Sequence, residues 1–303
     1  MKAFLAQAIL LLAALPLAAQ DQPAGTDLDR EKRFREQAAT APDTSQPSGW
    51  RHGLAGTLNL SQVSYRDWAP GGENALSWAV LLAGHSTDSE RALSWANSYR
   101  LAFGQARLGS QGLRKTDDEL YFESLLIYRM GVHINPYGSV TLRTQFAPGF
   151  TYDNAGTRTQ VSGFFDPAYL TQSAGAAYRP VPELITRLGL AAREVVTSDH
   201  TGYSDDPDTP GEREKFRLHG GMESVTELQW EFAANMTVSA RLELFSPFRA
   251  PDRIILRSDN GVTAKVNRYV TVVLSAQVVG EPDISPRTQI KQTLALGLTY
   301  TLL

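Results

Sequence analysis

The chain contains no cysteine. Disulfides, thiolate metal sites, a cysteine nucleophile and a lipidated N-terminal cysteine are therefore excluded. Neither charge dominates: 29 Lys and Arg stand against 32 Asp and Glu, for a net charge of −3. Nothing in that balance attracts nucleic acid, and no such partner is expected. After the first twenty residues no apolar run is long enough for a spanning helix, which needs roughly 20 residues. From Trp50 to the end there is no helical apolar period either.

The N-terminus reads MKAFLAQAILLLAALPLAAQ. Lys2 supplies the positive start, Phe4 to Leu17 the apolar core, and Ala18-Ala19 the small residues of a cleavage site. Residues 1–19 are expected to be a cleavable signal peptide. Residues 20–49 are polar and rich in Pro, Ser and Thr, and read as a solvated periplasmic tail. Residues 50–303 form a third region of uniform texture.

That texture is alternation. Ile290, Leu294, Leu296, Leu298, Tyr300 and Leu302 are apolar, with Lys291, Thr293, Ala295, Gly297, Thr299 and Thr301 between them. Val238, Ala240, Leu242 and Leu244 alternate with Ser239, Arg241 and Glu243. Period two argues for strands with two chemically different faces. Twelve such strands are expected, centred near Leu58, Val80, Tyr99, Leu126, Leu142, Ser173, Leu188, Met222, Ala240, Leu256, Leu274 and Leu296. Their connections alternate in character. Tight ones fall at residues 86–89, 133–136, 180–182, 233–235 and 267–268. Mostly longer ones fall at 66–74, 108–116, 152–165, 198–212, 246–251 and 280–286. Short turns at one end and longer loops at the other match an outer-membrane barrel. The expected fold is all-β: a transmembrane antiparallel up-and-down barrel of about 12 strands with both termini periplasmic.

Alternation alone cannot say which face is outside. A sandwich buries its apolar face, whereas a membrane barrel turns it to lipid. Aromatic placement favours lipid. Trp78, Phe103, Phe122, Phe146 and Phe216 fall toward the long-loop end, and Trp95, Tyr128, Trp230, Phe232 and Tyr300 toward the short-turn end. Amphipathic rings collect at both membrane interfaces. The break from Arg66 to Asn74 becomes the first outer loop. Gly71-Gly72 lets the chain reverse, and Trp68 is placed at the headgroup level or over the barrel mouth.

Several stretches resemble a family of bacterial outer-membrane barrels known only as domain of unknown function 3078. They are SQVSYRDWAPGGENALSW, WANSYRLAFG, LRKTDDEL, LRTQFAPGF, AKVNRY and TQIKQTLALGLTY, in order from Ser61 to Tyr300. The resemblance implies a barrel in the bacterial outer membrane, with lipid and the barrel insertion machinery as partners. It implies no reaction. One departure is the C-terminus: such barrels end in an aromatic residue, and this chain ends Thr301-Leu302-Leu303.

The inward parity carries charge of both signs. Candidate lumen charges are Arg100, Glu123, Arg143, Arg187, Arg217, Glu223, Glu227, Arg241, Glu243 and Arg257, with Glu119 and Lys265 of the same parity. In a bore of twelve strands, long Arg and Glu side chains can meet and pair. Two outcomes follow: an ion-pair lattice that nearly closes the bore and leaves a structural or surface-binding barrel, or a narrow passive channel for a small solute. Strand direction suggests Arg217 and Glu243 as one pair. Trp68, Gly71, Gly72, Lys115, Asp117, Asp118 and Gln145 form a candidate outer-mouth cluster. Asp117 and Asp118 are adjacent and would point to opposite sides of a strand. Loop hydrogen bonding and a Lys–Asp pair explain them better than a metal ion.

The alternative function is an outer-membrane enzyme such as a phospholipase-like barrel. It needs a Ser and a His on the lipid-facing side with an orienting partner. G-x-S-x-G is absent. Of His52, His85, His133, His200 and His219, only His219 is expected inside a strand, and its parity is inward. No catalytic residue, cofactor or metal is assigned.

Overall fold

The computed structural model describes residues 49–65, 72–90, 92–153, 156–206, 209, 211–267 and 269–302. The leader, the tail up to residue 48, Trp68 and Gly71 lie outside them. Fourteen strands follow in chain order: β1 (Arg51–Val63), β2 (Ala75–Glu90), β3 (Leu93–Leu108), β4 (Arg114–Tyr128), β5 (Ile134–Thr144), β6 (Gly149–Tyr152), β7 (Arg158–Ser162), β8 (Ala168–Val181), β9 (Leu184–Val196), β10 (Phe216–Ala233), β11 (Met236–Pro247), β12 (Ile255–Lys265), β13 (Val270–Gly280) and β14 (Gln289–Thr301).

Twelve of them close into one antiparallel barrel in the order β1-β14-β13-β12-β11-β10-β9-β8-β5-β4-β3-β2. β6 and β7 pair only with each other. They form a hairpin inside the connection from β5 to β8, where alternation predicts no strand. Both strands are too short to show a period, at four and five residues.

The barrel is inside-out by the standard of a soluble protein. Large apolar side chains stand exposed on its outer wall: Leu294 is 75% exposed, Leu190 64% and Leu188 51%. Charged side chains are buried within it, Arg187 and Glu123 among them. The rings gather at both ends. Trp78, Phe103 and Phe146 form one cluster, with centroids 5.6 and 4.9 Å apart. At the other end Trp50 meets Trp95 and Trp230 meets Phe232. Phe122 belongs to neither belt, because it stacks on Tyr99 within the β3–β4 pairing.

Two tight turns sit elsewhere than expected. β2 runs unbroken to Glu90, so residues 86–89 are strand. β5 begins at Ile134, which shifts the expected turn at 133–136 to residues 129–133. Polar residues had mimicked turns there. Ser86 instead bonds His52 Nδ1 at 2.7 Å, and Asn135 Oδ1 accepts the N–H groups of Met130 and Gly131 at 2.8 and 3.0 Å. β1 and β2 consequently contain His52 and His85, so His219 is not the only strand histidine. His85 is buried.

Candidate functional site

Parity builds the interior. On β4, Glu119, Tyr121 and Glu123 share one side of the strand, and on β11 so do Arg241 and Glu243. Each projects into a bore narrow enough for opposite walls to touch. Arg241 forks onto Glu123, with Nη1 to Oε2 at 2.9 Å and Nη2 to Oε1 at 3.0 Å. It also reaches Glu227 and donates from Nε to Glu243 at 2.6 Å. Arg187 bonds Glu123 at 2.6 Å and lies 3.5 Å from Glu227. Arg143 bonds Glu243 at 3.1 Å and approaches Glu119 at 3.3 Å. Arg257 joins Glu119 at 3.0 Å and Asp259 at 3.1 Å, and Arg100 joins Glu119 at 2.9 Å.

Five guanidinium groups thus meet five carboxylates in one connected lattice. Tyr121 sits at its centre. Its hydroxyl donates to Glu123 Oε2 at 3.0 Å, and Arg143, Arg241 and Arg100 lie 5.0–5.8 Å from its ring centroid. Cations over an aromatic face are held by its quadrupole. Bidentate pairing fixes the geometry further.

Eight of the ten lumen charges read from the sequence are members of this lattice. Glu223 instead hydrogen-bonds Ser173. Arg217 lies further out and bonds Asp283 at 2.6 Å. The expected Arg217–Glu243 pair does not form, because Arg143 and Arg241 already occupy Glu243. Arg217 stands on β10, and its partner Asp283 lies in the β13–β14 loop, which has no parity. Tyr121 and Asp259 were missed. The signal for both was available, since each alternates with the charges beside it.

The lattice does not fill the bore. It occupies the wall made by β3–β5 and β9–β12. The facing wall, β1, β2, β13 and β14, carries small inward residues: Thr57, Asn59, Ala79, Ala83, Ser275 and Ala295. They leave a side cavity of about 400 Å³. It shares Asp117, Glu119, Gln277 and Lys291 with an outer cavity of about 410 Å³. It shares Leu81, Ala83, Arg100, Ser239 and Asp259 with a third cavity of about 280 Å³, which reaches Arg179, Pro182 and Glu183 at the opposite end.

The outer mouth resolves into two contacts. Lys115 Nζ donates to Asp118 Oδ2 at 2.8 Å, Gln145 Oε1 at 3.1 Å and the Ala147 carbonyl at 2.8 Å. Asp118 in turn accepts the N–H groups of Phe146 and Ala147, both at 3.0 Å. A register shift opposite Gly104 and Gln105 leaves Thr116 unpaired and brings Lys115 onto Asp118. This knot ties the segment after β5 to β4. Asp117 accepts the Asp118 N–H at 3.1 Å, and its side chain bonds Lys291 of β14 at 2.8 Å across the mouth. Gly72 stands apart, against the Tyr65 ring at a φ of +139°. Among the described residues no group of acidic or histidine side chains is arranged to hold a metal ion.

Two outer loops are clamped by Asp166, which the sequence did not flag. Its carboxylate accepts backbone N–H groups of Ser198 at 3.0 Å, Asp199 at 2.8 Å and His200 at 3.1 Å. His200 Nδ1 lies 2.9 Å from the same carboxylate.

The family described as "Protein of unknown function (DUF3078)" matches residues 60–150. That span holds the first four resembling stretches and the knot of Lys115, Asp118 and Gln145, while the last two stretches lie beyond it. No curated protein matches the chain by sequence. Among solved structures, the translocator domain of the autotransporter NalP from Neisseria meningitidis is similar at 11% identity and a TM-score of 0.39, covering 90% of this chain and 95% of that one. The β domain of the Bordetella autotransporter BrkA gives 13% and 0.34, covering 84% and 99%. The toluene transporter TodX of Pseudomonas putida gives 9% and 0.31, covering 88% and 92%. Likeness at this level says nothing about activity.

Proposed function

We propose that the chain is an integral barrel of the bacterial outer membrane, exported by a cleavable signal, with both termini in the periplasm. In this reading it is a narrow passive conduit for small polar solutes. The inverted burial supports the membrane placement. A wall of exposed leucines around a core of buried ion pairs is stable against hydrocarbon and costly against water. The side cavity carries the conduit reading. It shares lining residues with an outer and an inner cavity, which supports a path past the lattice.

The lattice then acts as a rigid packing block beside an open side of the bore whose wall is mainly small neutral residues, with Lys291 toward its outer end. Its charges are balanced and already paired, so ion selectivity is weak. Passage is governed by the width of the small-residue wall.

Planar-bilayer recordings test this. The native barrel should show a small, weakly selective conductance. Ser275→Trp, which fills the side cavity, should remove most of it, while Leu274→Trp, on the neighbouring outward position, should not. A native barrel that folds but conducts nothing would leave the closed, structural reading in its place.

A further inference from the structure

β1 and β14 close the barrel, and their seam is the shortest in it. The register runs through five pairs, from Ala55↔Thr301 to Asn59↔Gly297. One more backbone bond, from Leu302 N–H to Leu54 O at 2.9 Å, extends it toward the inner end. The next shortest seam, β4 with β5, runs through eight pairs.

Continued toward the outer end, the β1–β14 register would set Leu60 against Leu296, Ser61 against Ala295, Gln62 against Leu294 and Val63 against Thr293. These pairs do not form. Both stretches are nonetheless strand, and both are fully paired on their other sides. Leu60–Val63 pairs with Ala75–Trp78 of β2, and Thr293–Leu296 pairs with Val272–Ser275 of β13. The seam therefore parts while its two strands remain intact. Four residues of strand make the parting about 13 Å tall.

Backbone groups without partners are tolerated at membrane depth only where they line a wet space. Such a space lies directly behind the gap: Thr57, Asn59, Thr293 and Ala295 all line the side cavity. Ser61 and Thr293 have inward parity yet are exposed, as they would be beside an opening. Asn59 sits where the pairing stops. Its Oδ1 is buried without a hydrogen-bond partner among the described residues. A Cβ on Gly297 would come within 2.6 Å of that oxygen, so the glycine makes room for it.

The chemistry on the two sides of the gap differs. Inside, between Asn59 and Thr293, the lining is neutral and polar. The first charge above it, Lys291, is held by Asp117. Outside stand Leu58, Leu60, Leu294, Leu296 and Leu298, all exposed. An unpaired acceptor behind an apolar slot fits a molecule with a donor at one end and a chain at the other.

We propose that the outer half of the β1–β14 seam is a lateral port, through which a long-chain amphiphile with an uncharged, hydrogen-bond-donating head moves between the side cavity and the outer leaflet. The head donates to Asn59 Oδ1, and the chain lies between Leu60 and Leu296. The port rests on the membrane placement proposed above and adds a second exit to the conduit.

The test uses the purified full chain in vesicles and a long-chain alcohol with a diazirine beside its hydroxyl. After irradiation, labelled positions are mapped by peptide mass spectrometry. Label is expected on the inward residues Thr57, Asn59, Thr293 and Ala295. The double variant Ser61→Cys with Ala295→Cys introduces the protein's only thiols. Bridged by a bifunctional thiol reagent, it should lose the inward label and keep label on outward leucines elsewhere; left unbridged, it should label like the native chain. Asn59→Leu should lose the inward label without bridging. Label confined to outward residues, or inward label unchanged by the bridge, would overturn the port. So would thiol cross-links joining two copies through this edge, which would make the gap a site for strand addition. Conductance is recorded on the same samples. A bridged barrel that still conducts separates the port from the conduit, and a native barrel that labels inwardly without conducting removes the conduit alone.

Discussion

Arg241 on β11 holds Glu123 on β4 through two hydrogen bonds of 2.9 and 3.0 Å, and four barrel strands separate them on one side and six on the other. The pair spans the bore almost at its full width, and both side chains are largely buried. A buried pair responds asymmetrically to mutation. Losing one partner strands a charge, whereas losing both removes the problem. Arg241→Met or Glu123→Gln alone should cost ~3–5 kcal/mol of unfolding free energy, and the double variant should recover part of that. The coupling should exceed the ~0.2–1 kcal/mol of hydrated pairs. Urea unfolding in lipid measures it. A coupling inside the hydrated range would show the lattice to be wet and loosely held.

The outer wall makes a second prediction by simple contrast. Leu274→Arg and Leu188→Arg put charge on outward positions at mid-strand, where both leucines are exposed. Each should cost ~2–4 kcal/mol near the bilayer midplane. Ser275→Arg is one residue from Leu274 but faces the side cavity, and should fold into vesicles with near-native yield. Equal losses for Leu274→Arg and Ser275→Arg would mean that the wall facing lipid has been misassigned.

Alternation made the barrel legible because a strand with one face to lipid and one to a polar bore must alternate. The same rule put all ten candidate charges on inward positions. It failed wherever the structure is not periodic. Strand direction pairs Glu243 with Arg217, but Arg143 reaches it across the bore and Arg241 from two residues away on the same strand, and strand direction carries no information about reach. Asp117 and Asp118 point to different partners, Lys291 for one and Lys115 for the other. The register shift that joins Lys115 to Asp118 had no sequence mark. The Asp166 clamp was invisible for a related reason: its partners are backbone N–H groups, which look the same in every sequence. Loop chemistry of this kind can be found only once the loops have been placed.

Topology can be read in whole cells, and the absence of native cysteine makes the background clean. Asp206→Cys and Gly72→Cys lie on the longer loops, and Ala234→Cys lies on the exposed turn between β10 and β11. With the termini in the periplasm, an impermeant thiol reagent should label the first two and spare Ala234→Cys until the outer membrane is permeabilised. Asn135, in what the sequence suggested was a turn, is buried and unsuitable as a marker. Labelling of Ala234→Cys alone would invert the barrel.

The Asp166 clamp gives the protein a defined acid response. Burial opposes its ionisation, but the His200 ring and the N–H groups of Asp199, Ser198 and His200 outweigh that and hold the carboxyl below its ordinary value. A carboxyl depressed in the folded state stabilises fully above its unfolded pKa of about 3.9, and the stabilisation fades as pH falls through the folded value. The segment around residues 198–206 should therefore stay protected from hydrogen exchange from pH 7 down to pH 5 and loosen only below about pH 4. Asp166→Asn should reproduce the loosening at neutral pH. Its neutral amide is a weaker acceptor than the carboxylate, so the opening energy of the segment should drop by ~1–3 kcal/mol. The barrel amides should hold throughout, since their pairing does not involve this loop. Loosening between pH 7 and pH 5, or an Asp166→Asn variant as protected as the native chain, would mean that the clamp is not what orders the two loops.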